Sequence, residues 1–332
     1  MKTSSKSLFL TMTIISTMMV LSSSNWMNMW VGLEINLLSF IPMMSEGKNP
    51  YKSQGTMMYF LVQSMASSIM IMTIMMSKFI MMSKEMSITN NIIVMSMMMK
   101  LGMPPFHLWF PEIMNKMNWN MCFLLSTWQK VAPLYVMSKF IENNEFIMLI
   151  ISITTMIGAM GGVNQTSMRK IMGYSSINHL SWIMLLMTKS KELWIVYMIL
   201  YSLMMYIVCF MMKSYNIMFI NQMKTFSTKL TDKISMIITI MSMGGLPPLL
   251  GFLPKMMTMS MTVKLNEIPT MVIMVISSVI TLSYYLKMSS KVNLMMMTSQ
   301  KWMKCMKPNI MMFIMMMILN IMFPAMMLLT FF

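Results

Sequence analysis

Long apolar runs recur along almost the entire chain, and they constrain the fold more than any other feature. Hydrophobic residues occupy 57% of the 332 positions, whereas charged residues occupy only 10%. A soluble domain usually carries about 25% charged residues, so this chain has too little polar surface to cover a globule in water. The runs are continuous rather than alternating, which indicates helices and excludes the strands of a β-barrel. The sequence therefore predicts an all-α polytopic membrane protein.

The apolar runs predict about eleven transmembrane helices, since roughly 20 helical residues cross the hydrocarbon core. They cover residues 8–23, 26–44, 57–77, 87–104 with an extension to 115, 118–138, 146–163, 171–187, 193–212, 234–258, 269–288 and 309–330. We interpret the first run as a membrane helix and not a removable signal, because no small-residue cleavage site follows it. Basic loop residues divide fifteen to six in favour of the N-terminal side. The positive-inside rule therefore predicts an N-terminus in the matrix or cytoplasm and a C-terminus outside.

Two proline-rich sites repeat one another at a fixed spacing. Each has a glycine, a proline pair two residues later and another proline six residues after that pair. They are Gly102, Pro104, Pro105 and Pro111, and, 143 residues later, Gly245, Pro247, Pro248 and Pro254. Proline removes a backbone donor and clashes with the preceding turn, so each site should break a spanning helix. Broken helices at corresponding positions of two halves are typical of inverted-repeat transporters. A coincidence of loop prolines is the alternative.

The repeat predicts how the single transmembrane domain, residues 1–332, is organised. We expect a first repeat over residues 8–140, a second repeat over residues 145–290 and a C-terminal helix over residues 309–330. The discontinuous helices would lie near residues 104–105 and 247–248.

Five ionisable residues lie inside or beside apolar spans: Glu34, Lys100, Lys130, His179 and Lys255. A charge at mid-bilayer costs at least about 2.5–3.5 kcal/mol, so such residues usually face a partner or water and mark ion pathways. Burial disfavours the charged form of carboxylates and amines, whereas pairing restores it, so alternating acids and amines can pass a proton. We therefore predict a proton relay. The alternatives are a packing pair for Glu34, snorkelling lysines and a hydrogen-bonded core histidine.

Two further ionisable residues are weaker candidates. His107 follows the first break and lies nearer an interface, and Glu112, the repeat counterpart of Lys255, lies close to a loop. A structural role is favoured for His107.

Sequence signals for cofactors, metals and nucleic acids are missing. Cys122, Cys209 and Cys305 lie far apart without a C-x-x-C pair, and the chain has only two histidines. No G-x-G-x-x-G or Walker sequence occurs, so we expect no cofactor and no metal in this chain. The net charge of +16 has no soluble basic domain to explain it, and topology rather than nucleic acid is its source. The 64 methionines form either an adaptable binding surface or a codon-biased replacement of Leu and Ile; their spread over nearly all runs favours the second.

Six ordered motifs resemble the subunit 2 family of animal mitochondrial NADH dehydrogenase. They are LEINLLSFIP from Leu33, KLGMPPFHLWFP from Lys100, TWQKVAP from Thr127, GGVNQTSMRK from Gly161, SSINHL from Ser175 and GGLPPLLGFLPK from Gly244. The resemblance covers roughly residues 25–260. The family belongs to the antiporter-like subunits in the proton-pumping arm of respiratory complex I. Its fold, two inverted five-helix repeats that each contain a broken helix, agrees with the repeat noted above.

The resemblance implies a role for each residue of the relay. Glu34 would be the pairing acid, Lys100 its lysine partner, Lys130 the central carrier and Lys255 the exit-side lysine, with His179 joining Lys130 to Lys255. The chain would then be a core, proton-translocating subunit of NADH:ubiquinone oxidoreductase in the mitochondrial inner membrane.

The resemblance also implies what surrounds the chain. NADH, FMN, iron–sulfur clusters and ubiquinone would bind other subunits. The partners would be neighbouring antiporter-like and small membrane subunits and phospholipids. A cation/proton antiporter outside complex I and a purely structural membrane subunit are the alternatives.

Overall fold

The computed structural model describes residues 3–45, 50–80, 86–141, 144–190, 192–225, 230–264 and 267–293. The predicted C-terminal helix over residues 309–330 and Cys305 lie outside these ranges. The described residues form thirteen α-helices, one 3-10 helix and a single isolated β-bridge between Ser167 and Phe219. The chain divides into two compact units, Met1–Ile147 and Met148–Phe332.

The first unit is built from seven helices and the start of an eighth. They are α1 (Thr3–Ser22), α2 (Trp26–Met44), α3 (Pro50–Ile80), α4 (Met86–Leu101), α5 (Trp109–Lys116), α6 (Trp119–Ser126) and α7 (Trp128–Phe140). Helix α2 packs against α1, α3 and α7, and α4 packs against α3 and α7. The polar residues of α2, α4 and α7 therefore meet in the interior of this unit.

The second unit follows the same order of elements. It contains α8 (Glu145–Val163), α9 (Met168–Lys189), α10 (Leu193–Ser214), the 3-10 helix Ile220–Thr225, α11 (Leu230–Gly244), α12 (Phe252–Lys264) and α13 (Ile268–Asn293). Every residue of α9 from Ser175 to Met187 is buried, and α9 packs against α10 and α12. A helix buried on all sides has no lipid-facing stripe, which lets α9 carry Asn178 and His179 at its middle.

Five of the described helices are long and apolar enough to cross a membrane. They contain Ser4–Ser22, Pro50–Ser77, Glu145–Val163, Leu193–Ser214 and Ile268–Val292. The other predicted spans fall on α2 and α9, which carry more polar residues, or on broken helices whose pieces have 8 to 16 residues. A helical membrane fold is therefore confirmed, and the count of eleven spans stays a prediction.

The predicted continuous span over residues 118–138 is wrong, because the structure interrupts it at Thr127. Helix α6 ends at Ser126 and α7 begins at Trp128, while Thr127 leaves helical geometry with φ −115° and ψ −72°. The Thr127 hydroxyl donates to the carbonyl of Phe123 at 2.7 Å. A threonine that bonds back to the carbonyl four residues earlier bends a helix, and Pro133 removes one further backbone donor from α7.

Both proline-rich sites lie in seven-residue connections between helices, α4 to α5 and α11 to α12. The first residue of each connection has left-handed backbone geometry, with φ +70° at Gly102 and φ +78° at Gly245. Only glycine adopts this region without strain, so glycine ends each helix at the same place. The predicted spans that ended at 104 and ran through 234–258 are thus split at these glycines.

The repeat extends beyond the two breaks. The first five helices of the chain begin at Thr3, Trp26, Pro50, Met86 and Trp109, and α8, α9, α10, α11 and α12 begin 142 to 144 residues later. Prolines alone would not produce this agreement, so the order and spacing of helices repeat along the chain.

Candidate functional site

Lys100 lies in the last turn of α4, immediately before the first break. Its side chain is buried, at 6% exposure. The carbonyl of Lys100 accepts a hydrogen bond of 3.0 Å from the amide nitrogen of Gln63 on α3. The last carbonyls of a helix have no partner within the helix, so Gln63 caps the end of α4 with a group that does not titrate.

Glu34 is half-buried at the middle of α2 and interacts electrostatically with Lys100. In the part of the chain that the structure describes, no N–O distance of 4.0 Å or less joins the two side chains. The predicted pair is therefore an interaction at longer range and not a direct ion pair. A charge change at Glu34 still alters the potential at Lys100, because low-dielectric surroundings transmit it with little screening.

Lys130 lies in the first turn of α7, directly after the interruption at Thr127. It is 2% exposed, and its ammonium nitrogen lies 5.0 Å from the centre of the Phe110 ring. An aromatic face attracts a cation within about 6 Å, so Phe110 offers partial compensation for burial.

Lys100 and Lys130 line one small cavity in the first unit. The space open to the centres of water-sized molecules is about 20 Å³, which suffices for roughly one water. Its walls combine four neutral polar side chains, the two lysines and apolar residues: Asn36, Tyr59, Gln63, Gln129, Lys100, Lys130, Leu33, Leu37, Leu101, Trp109, Phe110, Leu125 and Pro133. The structure thus brings together two of the predicted relay residues, separated by a polar space.

A pair of amides joins α2 to α7 beside this cavity. Asn36 Nδ2 donates to Gln129 Oε1 at 3.0 Å, and Gln129 Nε2 donates back to Asn36 Oδ1 at 3.1 Å. The Tyr59 hydroxyl on α3 donates to the same Gln129 oxygen at 3.4 Å. Because carboxamide oxygen and nitrogen look alike, the reciprocal pattern fixes the orientation of both groups.

His179 is buried in the second unit, at 3% exposure on α9. Its Nδ1 lies 2.9 Å from the hydroxyl of Tyr197, and the Tyr201 ring centre lies 5.0 Å from its own ring centre. Both tyrosines belong to α10. A histidine with a hydroxyl partner can accept or donate a proton, and the same contact also suits a structural histidine.

Lys255 lies in the first turn of α12, just after the second break. It is 3% exposed, and its ammonium nitrogen donates to the carbonyl of Gly244, the last residue of α11, at 2.8 Å. The helix dipole is negative at this end, so the cation is stabilised there. The Trp182 ring, one turn beyond His179 on α9, lies 6.0 Å away.

The two weaker candidates differ in their surroundings. His107 lies in the connection between α4 and α5, where its Nδ1 is buried and has no hydrogen-bond partner among the described residues. Glu112 is exposed on α5. Glu112 therefore lies at the repeat position of Lys255 without sharing its buried environment.

Sequence reasoning missed the neutral polar residues of the interior. Asn36 and Gln129 were part of recognised motifs but were given no role, and Gln63, Tyr59 and Tyr197 were not singled out. Uncharged amides and hydroxyls inside predicted spans would have been the signal, since these groups form hydrogen bonds between membrane helices.

Within the described ranges, no group of three or more His, Cys, Asp or Glu side chains lies close enough to hold a metal ion. Cys122 and Cys209 are buried free thiols. The expectation that cofactors bind elsewhere stays a prediction.

Known proteins similar to this chain share its membrane character. The sequence matches the family described as "NADH:quinone oxidoreductase/Mrp antiporter, TM" over residues 23–281. The NADH-ubiquinone oxidoreductase chain 2 of Locusta migratoria is 40% identical over 309 residues, which cover 92% of this chain and 90% of that protein. The protein of the same name from Mus musculus is 34% identical over 305 residues, 88% of each chain.

Solved structures support the same fold. A chain of respiratory complex I from Thermus thermophilus has a TM-score of 0.82 at 15% identity, covering 96% of this chain and 76% of that one. A chain of the Mrp complex from a Dietzia species has a TM-score of 0.77 at 16% identity, covering 86% of this chain and 60% of its own. Sequence identity over nearly the full length, the family match and the fold agree: this chain belongs to the NADH:quinone oxidoreductase/Mrp antiporter family of membrane subunits, together with the proteins named NADH-ubiquinone oxidoreductase chain 2.

Proposed function

We propose that this chain carries protons across the mitochondrial inner membrane as a core membrane-arm subunit of NADH:ubiquinone oxidoreductase. NADH, FMN, the iron–sulfur clusters and ubiquinone bind other subunits of the complex. The relatives named above support the assignment to this complex. The observation that supports a proton-carrying role is the pair of buried lysines, Lys100 and Lys130, on the wall of one polar cavity.

In the first unit, the relay runs from Glu34 through Lys100 to Lys130. A buried ammonium is costly, so each lysine holds its proton only while its surroundings compensate the charge. A charge change near Glu34 alters that compensation at Lys100 and, across the cavity, at Lys130. The polar walls and the room for a water support a proton transfer between the two amines.

In the second unit, His179 and Lys255 complete the relay. The contact of Lys255 with the end of α11 and the position of Trp182 one turn from His179 support a connection between α9 and α12. The transfer from Lys130 to His179 belongs to this proposal on the strength of the family resemblance alone.

The repeat supports a proposal about topology. If each half contributes five crossings, an odd number, the second half crosses the membrane in the opposite sense to the first. With the predicted C-terminal helix, eleven crossings then put the N-terminus in the matrix and the C-terminus in the intermembrane space, as the lysine bias indicates. Other membrane-arm subunits and phospholipids cover the exposed apolar surface.

Neutralising the relay tests this function in the assembled complex. We expect Glu34→Gln and Lys130→Met to lower NADH-driven proton uptake strongly while the abundance of the complex on native gels stays near normal. Lys139→Met is a matched control, because Lys139 lies on the same helix α7 but is exposed and bonds the carbonyl of Ser23. Normal proton uptake by the assembled Lys130→Met complex would refute the relay and favour a purely structural subunit.

A cation/proton antiporter outside complex I is the second candidate. The family description and the similar Mrp complex chain favour it. Gentle solubilisation and separation of native complexes by size discriminate the two. Migration with a very large NADH-oxidising assembly supports the first function, whereas a small assembly without that activity and with sodium-driven exchange supports the antiporter.

A further inference from the structure

We infer that Asn36 and Gln129 are positioning residues that hold Lys130 in its working place through their reciprocal amide pair. This inference rests on the proposed function, because it assigns a role to neutral residues around the proposed proton carriers. Neither residue titrates, and neither was assigned a role from the sequence. Their contact links helices that are 93 residues apart in the chain.

The interruption at Thr127 is the reason why Lys130 needs such a clamp. In a continuous helix, the direction of a side chain follows from the helix before it. Here α6 ends at Ser126, and Lys130 follows in the first turn of a new helix. The direction of that turn is therefore set by its tertiary contacts, and the amide of Gln129 is the neighbouring side chain that reaches α2.

The pair is suited to fix geometry because both amides are used in both directions. Two hydrogen bonds of 3.0 and 3.1 Å close a ring between Asn36 and Gln129, and such a ring restrains rotation as well as distance. Tyr59 donates to the same oxygen of Gln129 from a third helix. The clamp thus ties α2, α3 and α7 together at the wall that carries Lys130.

The two helices that the clamp joins also carry Glu34 and Lys130. Asn36 follows Glu34 by two residues on α2, and Gln129 precedes Lys130 by one on α7. A rotation of either helix would move a proposed proton carrier relative to the cavity. Misplacement by about 1 Å costs up to about 100-fold in well-positioned reactions, so proton transfer should depend on the clamp.

The test compares disruption of the pair with its exchange, in the assembled complex. Asn36→Leu and Gln129→Met each remove one amide at similar volume, and the double variant removes both. The variant with Asn36→Gln and Gln129→Asn exchanges the two amides and keeps the summed length of the side chains. NADH-driven proton uptake, its pH profile and the abundance of the complex are measured for each.

A clamp predicts a specific pattern. We expect each single variant to lower proton uptake at least about tenfold and to shift its pH profile. The double variant should be no worse than the worse single, because both remove the same contact. The exchanged pair should recover most of the rate and the native pH profile.

Two results would overturn the inference. One is native proton uptake and pH profile in both assembled single variants. The other is an exchanged pair that performs, or assembles, no better than the singles. Lys130→Met separates this failure from failure of the proposed function: loss of uptake in that variant with neutral amide variants removes only the clamp, whereas native uptake in Lys130→Met removes the relay itself.

Discussion

Replacing Gly245 by alanine tests whether the second helix break holds Lys255 in place. Gly245 has φ +78°, and a Cβ built there would lie 2.8 Å from Lys255 Nζ, 3.0 Å from its Cδ and 3.1 Å from its Cε. All three contacts are shorter than or at the limit of what real Cβ atoms show. The flexible lysine can move away, but only by leaving the carbonyl of Gly244, which it contacts at 2.8 Å.

The magnitude follows from two costs. Left-handed backbone geometry costs a residue with a Cβ about 1–2 kcal/mol. Loss of a hydrogen bond from a charged group costs a further amount of about 1.5–3 kcal/mol. Together they place the alanine variant about 2.5–5 kcal/mol above the native arrangement of this break.

The neighbouring Gly244 provides a matched control. It ends α11 without a left-handed backbone, and a Cβ there would meet the Tyr285 ring at 3.4 Å, an ordinary contact distance. Alanine is a better helix former than glycine by about 0.5–1 kcal/mol, so Gly244→Ala should be neutral or slightly stabilising.

The assay is NADH-driven proton uptake by the assembled complex, together with its thermal inactivation. We expect Gly245→Ala to lower proton uptake and the inactivation temperature, and Gly244→Ala to change neither. Equal behaviour of the two variants would refute the reasoning, because it would show that neither the backbone geometry nor the position of Lys255 matters.

Three further predictions concern single contacts. Lys255→Met should abolish most proton uptake, whereas Lys264→Met, at an exposed position of the same helix, should leave it unchanged. Gln63→Met should destabilise the assembled complex by about 1–3 kcal/mol in thermal unfolding, because the buried Lys100 carbonyl loses its cap; Gln54→Met, exposed on the same helix, should have no effect. Glu267→Gln removes the ion pair of 3.2 Å with Lys189 and should lower stability by about 1 kcal/mol without changing proton uptake; exposed Glu192→Gln is its control, and an equal effect of both would contradict the prediction.

The sequence predicted those features that depend on local chemistry. Glycine followed by a proline pair is enough to end a helix, so the interruptions after Leu101 and Gly244 follow from composition and spacing alone. A lysine inside an apolar run is conspicuous for the same reason. The positions of Lys100, Lys130 and Lys255 beside interruptions or in the interior thus agree with the local pattern, while their roles stay predictions.

Features that depend on packing between distant helices were not predictable. The partner of the Lys100 carbonyl comes from Gln63 and the partner of Asn36 from Gln129, and no local rule selects either. The interruption at Thr127 was missed because threonine is tolerated within helices, and its back-bond to Phe123 acts only in combination with Pro133 and the surrounding packing. Charge pairing was also overestimated: the Glu34–Lys100 interaction exists, but at a longer distance than a direct pair.

The common spacing of helix starts bears on which mutations this chain can tolerate. Five helix starts recur after 142 to 144 residues, although the residues at matching positions differ, as Glu112 and Lys255 do. Between the two halves, the number of residues from one helix to the next is thus kept more closely than the side chains. An insertion or deletion of one residue rotates everything after it on the same helix by about 100°, and it would turn a buried lysine towards lipid. Changes of length within a half should therefore be more damaging than most exchanges of one side chain for another.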